Sequence, residues 1–147
     1  LEGKLTAPDV DNQIEAYLKA VGLAEYHRFY PDQLSGGMKQ RAALARALSY
    51  PAELLLMDEP FKSLDLKTRY QLVSDFLALW RQQPNTAVVV THDVQEAVWL
   101  GDQILVLSEK PACLIAKFEN KIPPESRMVG DRPWDLEQEI TRAVLKG

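Results

Sequence analysis

Four consecutive apolar residues, Leu54 to Met57, run directly into two carboxylates, Asp58 and Glu59. An unbroken apolar run of strand length has no in-and-out alternation, so it predicts a strand over Leu54 to Asp58 buried on both faces, as in a parallel sheet covered by helices. The order recurs downstream. Thr86 to Thr91 is β-branched and apolar, His92 stands at its tip, and a helix carrying Val94, Ala97 and Val98 is expected from about Asp93 to Leu100. Strand, polar tip and helix, twice over, make the chain α/β.

The remaining elements fit that frame. Pro8 and Asp9 precede Val10, Ile14, Tyr17, Leu18 and Val21 at helical spacing, and Gly22 supplies a stop. A short helical or turn segment around Leu23 to Phe29 leads to Tyr30-Pro31, whose proline favours an extended approach to Leu34. Ser35 stands at the N-cap of a helix predicted over Gly36 to Ser49, where four alanines raise helix propensity and Pro51 follows as a stop. Another helix is predicted over Leu66 to Gln82, with Leu72, Phe76, Leu79 and Trp80 inward, followed by a Pro84-Asn85 turn. Gln103 to Leu107 and Leu114 to Phe118 read as a hairpin turning at Glu109-Lys110-Pro111. Asp135 is placed to cap a last helix with Gln138 three residues on and Leu136, Ile140, Ala143 and Val144 inward. Arg132-Pro133-Trp134, Trp80 and Trp99 read as packing residues.

At 147 residues, 46% hydrophobic and 26% charged, the chain has enough apolar material for a real core. A net charge of -4 and a pI near 5.2 argue against nucleic acid as the partner. A single cysteine, Cys113, precludes an internal disulfide and suits a reducing compartment. No apolar stretch approaches the roughly 20 residues needed to cross a bilayer, so a membrane link is expected to run through another subunit.

Three places carry chemistry. Ser35-Gly36-Gly37 opens a helix, and a glycine-lined helix N-terminus attracts anions, although a serine cap followed by glycines also begins many ordinary helices. Asp58 and Glu59 sit at the carboxyl end of a strand, where α/β folds place metals and substrates. One acid can hold Mg²⁺ while the next orients and deprotonates a water, and a loop acid pair is the plainer alternative. His92 can be structural or functional by itself.

Taken together, Leu34-Ser35-Gly36-Gly37-Met38 with Gln40-Arg41, then Leu54 to Pro60, Ser63-Leu64-Asp65 and Thr91-His92-Asp93, in this order and spacing, resemble four motifs of the ATP-binding cassette (ABC) ATPases. The resemblance covers Tyr30 to about Leu107. It implies a partial P-loop NTPase (RecA-like) core with a mainly parallel sheet plus part of the family's α-helical subdomain. Residues 1–50 would belong to that subdomain, 51–120 to the second half of the core, and 121–147 to a tail with its helix.

The implied cofactors are ATP and Mg²⁺. Ser35, Gly36, Gly37 and Met38 match the signature, which contacts the γ-phosphate of ATP held by the opposite subunit of a head-to-tail dimer. Asp58 matches the Mg²⁺-holding Walker B aspartate, Glu59 the catalytic glutamate, His92 the switch histidine and Asp65 the D-loop aspartate linking the two sites. Met38 replaces the commoner glutamine, and Lys62 and Leu64 replace smaller residues.

The wording of "DEPFKSLD" and "VTHDVQEAV" looks like the nitrate, sulfonate, taurine and bicarbonate importer branch, which implies a membrane permease partner and a peripheral place on the cytoplasmic face of the inner membrane. No Gly-x-x-x-x-Gly-Lys-Ser/Thr loop is present; the only Gly-Lys pair is Gly3-Lys4, followed by Leu5. The 147 residues are therefore expected to be a fragment, inactive alone, with uncovered strand faces through which it self-associates or rearranges. The alternatives are a non-catalytic interaction module or a non-transport ABC ATPase; a DNA-repair type would bring a long coiled coil and a basic surface, and an exporter would be fused to membrane helices.

Overall fold

A computed structural model describes residues 7–50, 52–62, 64–81, 86–129 and 133–146. Pro51, Ser63, the Pro84-Asn85 turn, Arg132 and the Gly3-Lys4 pair lie outside the described residues. The chain divides into two compact units, Leu1–Val88 and Val89–Gly147.

In the first unit, α1 (Ala7–Ala20) ends at Gly22, whose φ of 66° is a left-handed stop that glycine adopts without strain. A 3-10 turn at Ala24–Tyr26 follows. A second 3-10 turn at Pro31–Gln33 interrupts the extended approach predicted from Tyr30 to Leu34; Tyr30 and Leu34 are extended, and the side chain of Gln33 accepts the Tyr30 N–H at 2.8 Å, which closes the turn. Helix α2 (Gly36–Ser49) starts where predicted, because Ser35 Oγ accepts the Met38 N–H at 3.3 Å.

Strand β1 (Leu54–Asp58) leads towards α3 (Leu66–Trp80), and β2 (Thr86–Val90) is its parallel neighbour in a two-stranded sheet, with the Thr86 N–H donating to the Glu53 carbonyl at 3.1 Å. The burial of β1 differs from expectation. Leu55 and Met57 are buried while Leu54 and Leu56 are 50% and 70% exposed, so only one face is covered and the other is an apolar surface facing solvent. Leu55, Met57, Phe61, Leu72, Val73 and Phe76 are the buried residues of β1, its following loop and α3. Phe61 meets Phe76 edge to face at 6.0 Å, and Trp80 stacks on Phe76 at 6.0 Å.

The second unit comprises α4 (Val94–Leu100), an antiparallel hairpin of β3 (Gln103–Leu107) and β4 (Leu114–Glu119), and α5 (Trp134–Val144). Its core is Val98, Ile104, Val106 and Ile140, with Val94, Ala97, Ala116, Phe118, Leu136 and Ala143 packed around it. The opposite face of β3 is apolar and open at Leu105 and Leu107.

Two buried polar residues pin the unit together. Asn120 Nδ2 donates to the carbonyls of Val98 and Gly101, and Arg127 donates to the carbonyls of Ile122 and Leu100 and to Asp102 Oδ1 at 2.7 Å. A buried guanidinium is tolerated because each edge finds an acceptor. At the C-terminus three expectations change. Helix α5 begins at Trp134 after Pro133 with no side-chain cap, so Asp135 falls in the first turn; Trp134 is 62% exposed rather than packed; and Val144 is half exposed. Trp99 is buried as expected.

Candidate active site

The helix that carries the glycine pair is built as an open anion-facing end. Ser35 and Gly36 are exposed, and a Cβ added at Gly36 would meet nothing within 4 Å. At Gly37 it would touch only Leu64 Cδ2, at an ordinary 3.5 Å. Neither glycine has a positive φ, so neither packing nor backbone conformation within this unit requires one there. Glycine in a helix costs up to about 1 kcal/mol relative to alanine. What two glycines at this place do provide is bare backbone N–H groups that a bulky anion can approach.

The carboxylate pair follows from β1. Asp58 is the last strand residue and is exposed, and Glu59 turns the chain with φ 46°, the one described non-glycine residue in the left-handed region. That conformation costs a non-glycine residue about 1–2 kcal/mol, and three contacts hold it. The Glu59 carbonyl accepts the Lys62 N–H at 3.2 Å, closing a tight turn. Gln40 Nε2, from α2, donates to the Glu59 carbonyl at 3.1 Å and to the Pro60 carbonyl at 2.8 Å. Phe61, two residues on and 1% exposed, anchors the chain in the core. Strain held by surrounding structure concentrates where function needs a particular geometry.

Glu59 Oε2 also lies 2.5 Å from Lys62 Nζ. The hydrogen bond to Glu59, and then its charge, raise the Lys62 pKa, with Asp58 adding a smaller pull in the same direction. Asp65 is the N-cap of α3, its carboxylate accepting the Thr68 N–H at 3.1 Å, a bond that lowers its pKa. Its visible role is thus a structural one.

Ser35 to Met38, Asp58, Glu59 and Asp65 all lie in the first unit, where Gln40 and Leu64 bring the glycine-bearing helix against the turn that follows β1. His92 lies in the second unit and is exposed two residues beyond β2. Its neighbours are locked. Thr91 Oγ1 donates to Glu96 Oε2 at 2.7 Å and accepts the Asp93 N–H, and Asp93 Oδ1 caps α4 through the Gln95 and Glu96 N–H groups. The chain on both sides of the imidazole is therefore anchored to the start of α4.

Two positioning groups escape sequence reading. Gln40 stands in the matched stretch with no task attached to it, and only its partners 19 and 20 residues away reveal one. Glu96, 3% exposed, holds Thr91 from inside α4; a carboxylate four residues after the histidine on an otherwise apolar helix face was the available signal.

Among the described residues no group of three or more His, Cys, Asp or Glu converges as a metal cage. Magnesium does not need one: it binds through one or two carboxylates together with nucleotide phosphates and waters. Asp58, a hard oxygen donor open to solvent at a strand end, fits that pattern.

A family model described as ABC transporter matches residues 3–62. The aliphatic sulfonates import ATP-binding protein SsuB of Bacillus cereus is 40% identical over 138 residues, which are 93% of this chain and 53% of that protein. The nitrate import ATP-binding protein NrtD of Synechococcus elongatus is 43% identical over 104 residues, 71% of this chain and 38% of that protein. A solved ATP-binding cassette, a dimer in a post-hydrolysis state bound to ADP and Pi, superposes with a TM-score of 0.68 at 29% identity, over 84% of this chain and 52% of that one. The chain spans about half the length of the curated relatives it matches. Residues 3–62 carry the ABC transporter domain, and over most of its length the chain is similar to ATP-binding proteins of sulfonate and nitrate importers.

Proposed function

We propose that this chain is part of the ATP-hydrolysing subunit of an importer of small oxyanions, sulfonate or nitrate in type, in which ATP turnover drives a membrane permease. Its relatives' names support the importer reading, and the observation that carries the hydrolysis reading is Glu59, held at φ 46° by Gln40 beside the exposed Asp58. In this reading residues 1–50 belong to the helical subdomain, 51–120 to the ATPase core and 121–147 to the tail. Two subunits pair head to tail, and the assembly sits on the cytoplasmic face of the inner membrane.

Asp58 is the residue that would hold Mg²⁺, which when bound neutralises charge on the β- and γ-phosphates. Glu59 orients water and takes its proton. His92 supports the γ-phosphate. Ser35, Gly36, Gly37 and Met38 present the start of α2 to nucleotide held by the partner subunit, and Asp65 lies at the subunit junction. Catalysis of this kind is positioning and electrostatics.

The test is steady-state Mg-ATP hydrolysis by the full-length protein with its permease. Glu59→Gln keeps shape and removes the base, and a loss of about 10²-fold or more in kcat with little change in KM is expected. A Glu59→Gln protein that hydrolyses ATP within about threefold of wild type refutes the assignment.

A further inference from the structure

The base proposed for hydrolysis is not presented bare. Glu59 Oε2 is paired with Lys62 Nζ at 2.5 Å, and the lysine is delivered by the same tight turn, closed by the Lys62 N–H to the Glu59 carbonyl, that holds Glu59 at φ 46°. The pair is therefore preformed by the backbone rather than assembled by chance from two long side chains. The lysine side chain is 58% exposed and that of Glu59 28%, so solvent and a docking partner can both reach the ammonium group. Asp65, the next carboxylate along, is occupied in capping α3.

In hydrolysis the water oxygen bonds to the γ-phosphorus, the bond to the bridging oxygen breaks with its electron pair leaving on ADP, and the water proton passes to a carboxylate. A carboxylate held by an ammonium group has one oxygen already occupied and is not free to turn toward the attacking water. We propose that Lys62 is a positioning residue that holds Glu59 in a resting ion pair, and that this pair opens before Glu59 takes up the proton, restraining turnover until the site is assembled. The proposal rests on the reading of Glu59 as the base.

Steady-state ATP hydrolysis by the full-length protein tests it with Lys62→Ala, Lys62→Arg, Glu59→Gln and the Glu59→Gln/Lys62→Ala double variant. Lys62→Ala is expected to raise kcat about two- to fivefold, the scale on which partly exposed ion pairs act, with KM for ATP unchanged. Lys62→Arg keeps the pair and stays at the wild-type rate. In the Glu59→Gln background Lys62→Ala has no effect. An unchanged or lower kcat for Lys62→Ala, an equal rise for Lys62→Arg, or a rise that survives in the double variant overturns the restraint while leaving the ATPase reading intact. If Glu59→Gln alone leaves turnover unaltered, the reading of the base itself fails, and the proposal with it.

Discussion

Replacing Gln40 by methionine keeps the length and most of the volume of the side chain and deletes both donors. The Pro60 carbonyl loses its Gln40 donor, and the Glu59 carbonyl keeps the Lys62 N–H. At about 0.5–1.5 kcal/mol per hydrogen bond, the two together are worth about 1–3 kcal/mol. The left-handed Glu59 conformation costs about 1–2 kcal/mol, so the bonds and the strain they oppose are of the same size. Without Gln40 the turn should relax. Urea unfolding of the chain measures this: the relief of strain offsets part of the lost bonds, and with m of about 2 kcal/mol/M, Gln40→Met should lower the midpoint by about 0.5 M at unchanged m. Glu59→Gly removes the strain, so no relaxation offsets the lost bonds and the same Gln40→Met change made on top of it should cost more, by about 0.5 kcal/mol or more. A Gln40→Met protein within about 0.3 kcal/mol of wild type, or an equal loss in both backgrounds, refutes the idea that this side chain holds the acid turn in place.

Two further predictions concern the second unit. A Cβ at Gly101 would lie 2.9 Å from the Ala97 carbonyl and 3.1 and 3.2 Å from Ile104 Cγ1 and the Gln103 carbonyl, so Gly101→Ala should cost about 1–3 kcal/mol, read as a lowered thermal midpoint. Glu137 on α5 has its pKa raised by burial first and by the charge of Asp93 second. A carboxyl with a raised folded-state pKa contributes stability when protonated and loses it as pH rises through that value, so Glu137→Gln should raise the thermal midpoint at neutral pH, with the gain shrinking as pH falls into the ordinary carboxylate range. A gain that is the same at every pH would show that charge is not the cause.

The parts legible from sequence were those governed by neighbours in the chain. Ser35 caps the helix that follows, as predicted, and α2 spans the predicted residues, because a cap and its partner lie within three positions. Leu54 to Met57 revealed a strand but not its faces: a run that is apolar throughout gives no period from which one open side could be read. The C-terminal helix misled for the opposite reason. Asp135 and Gln138 have the spacing of a capping box, yet the chain enters the helix two residues earlier, after Pro133, a placement that proline's fixed φ favours. At the site, residue types and order were readable, whereas the tilt of Glu59, its lysine and its glutamine brace depend on contacts that a linear reading does not contain.

The polar pins of the second unit are aimed mainly at main-chain oxygens. Asn120 and Arg127 together engage the carbonyls of Val98, Leu100, Gly101 and Ile122, atoms that every residue type supplies. Leu100 and Ile122 can therefore change their side chains over time without disturbing these bonds, whereas the spacing between Asn120 and Arg127 cannot shift by a residue without pulling the guanidinium off its acceptors. The segment is tolerant of substitution and intolerant of insertion, and that asymmetry is what a lineage descended from this chain would show there.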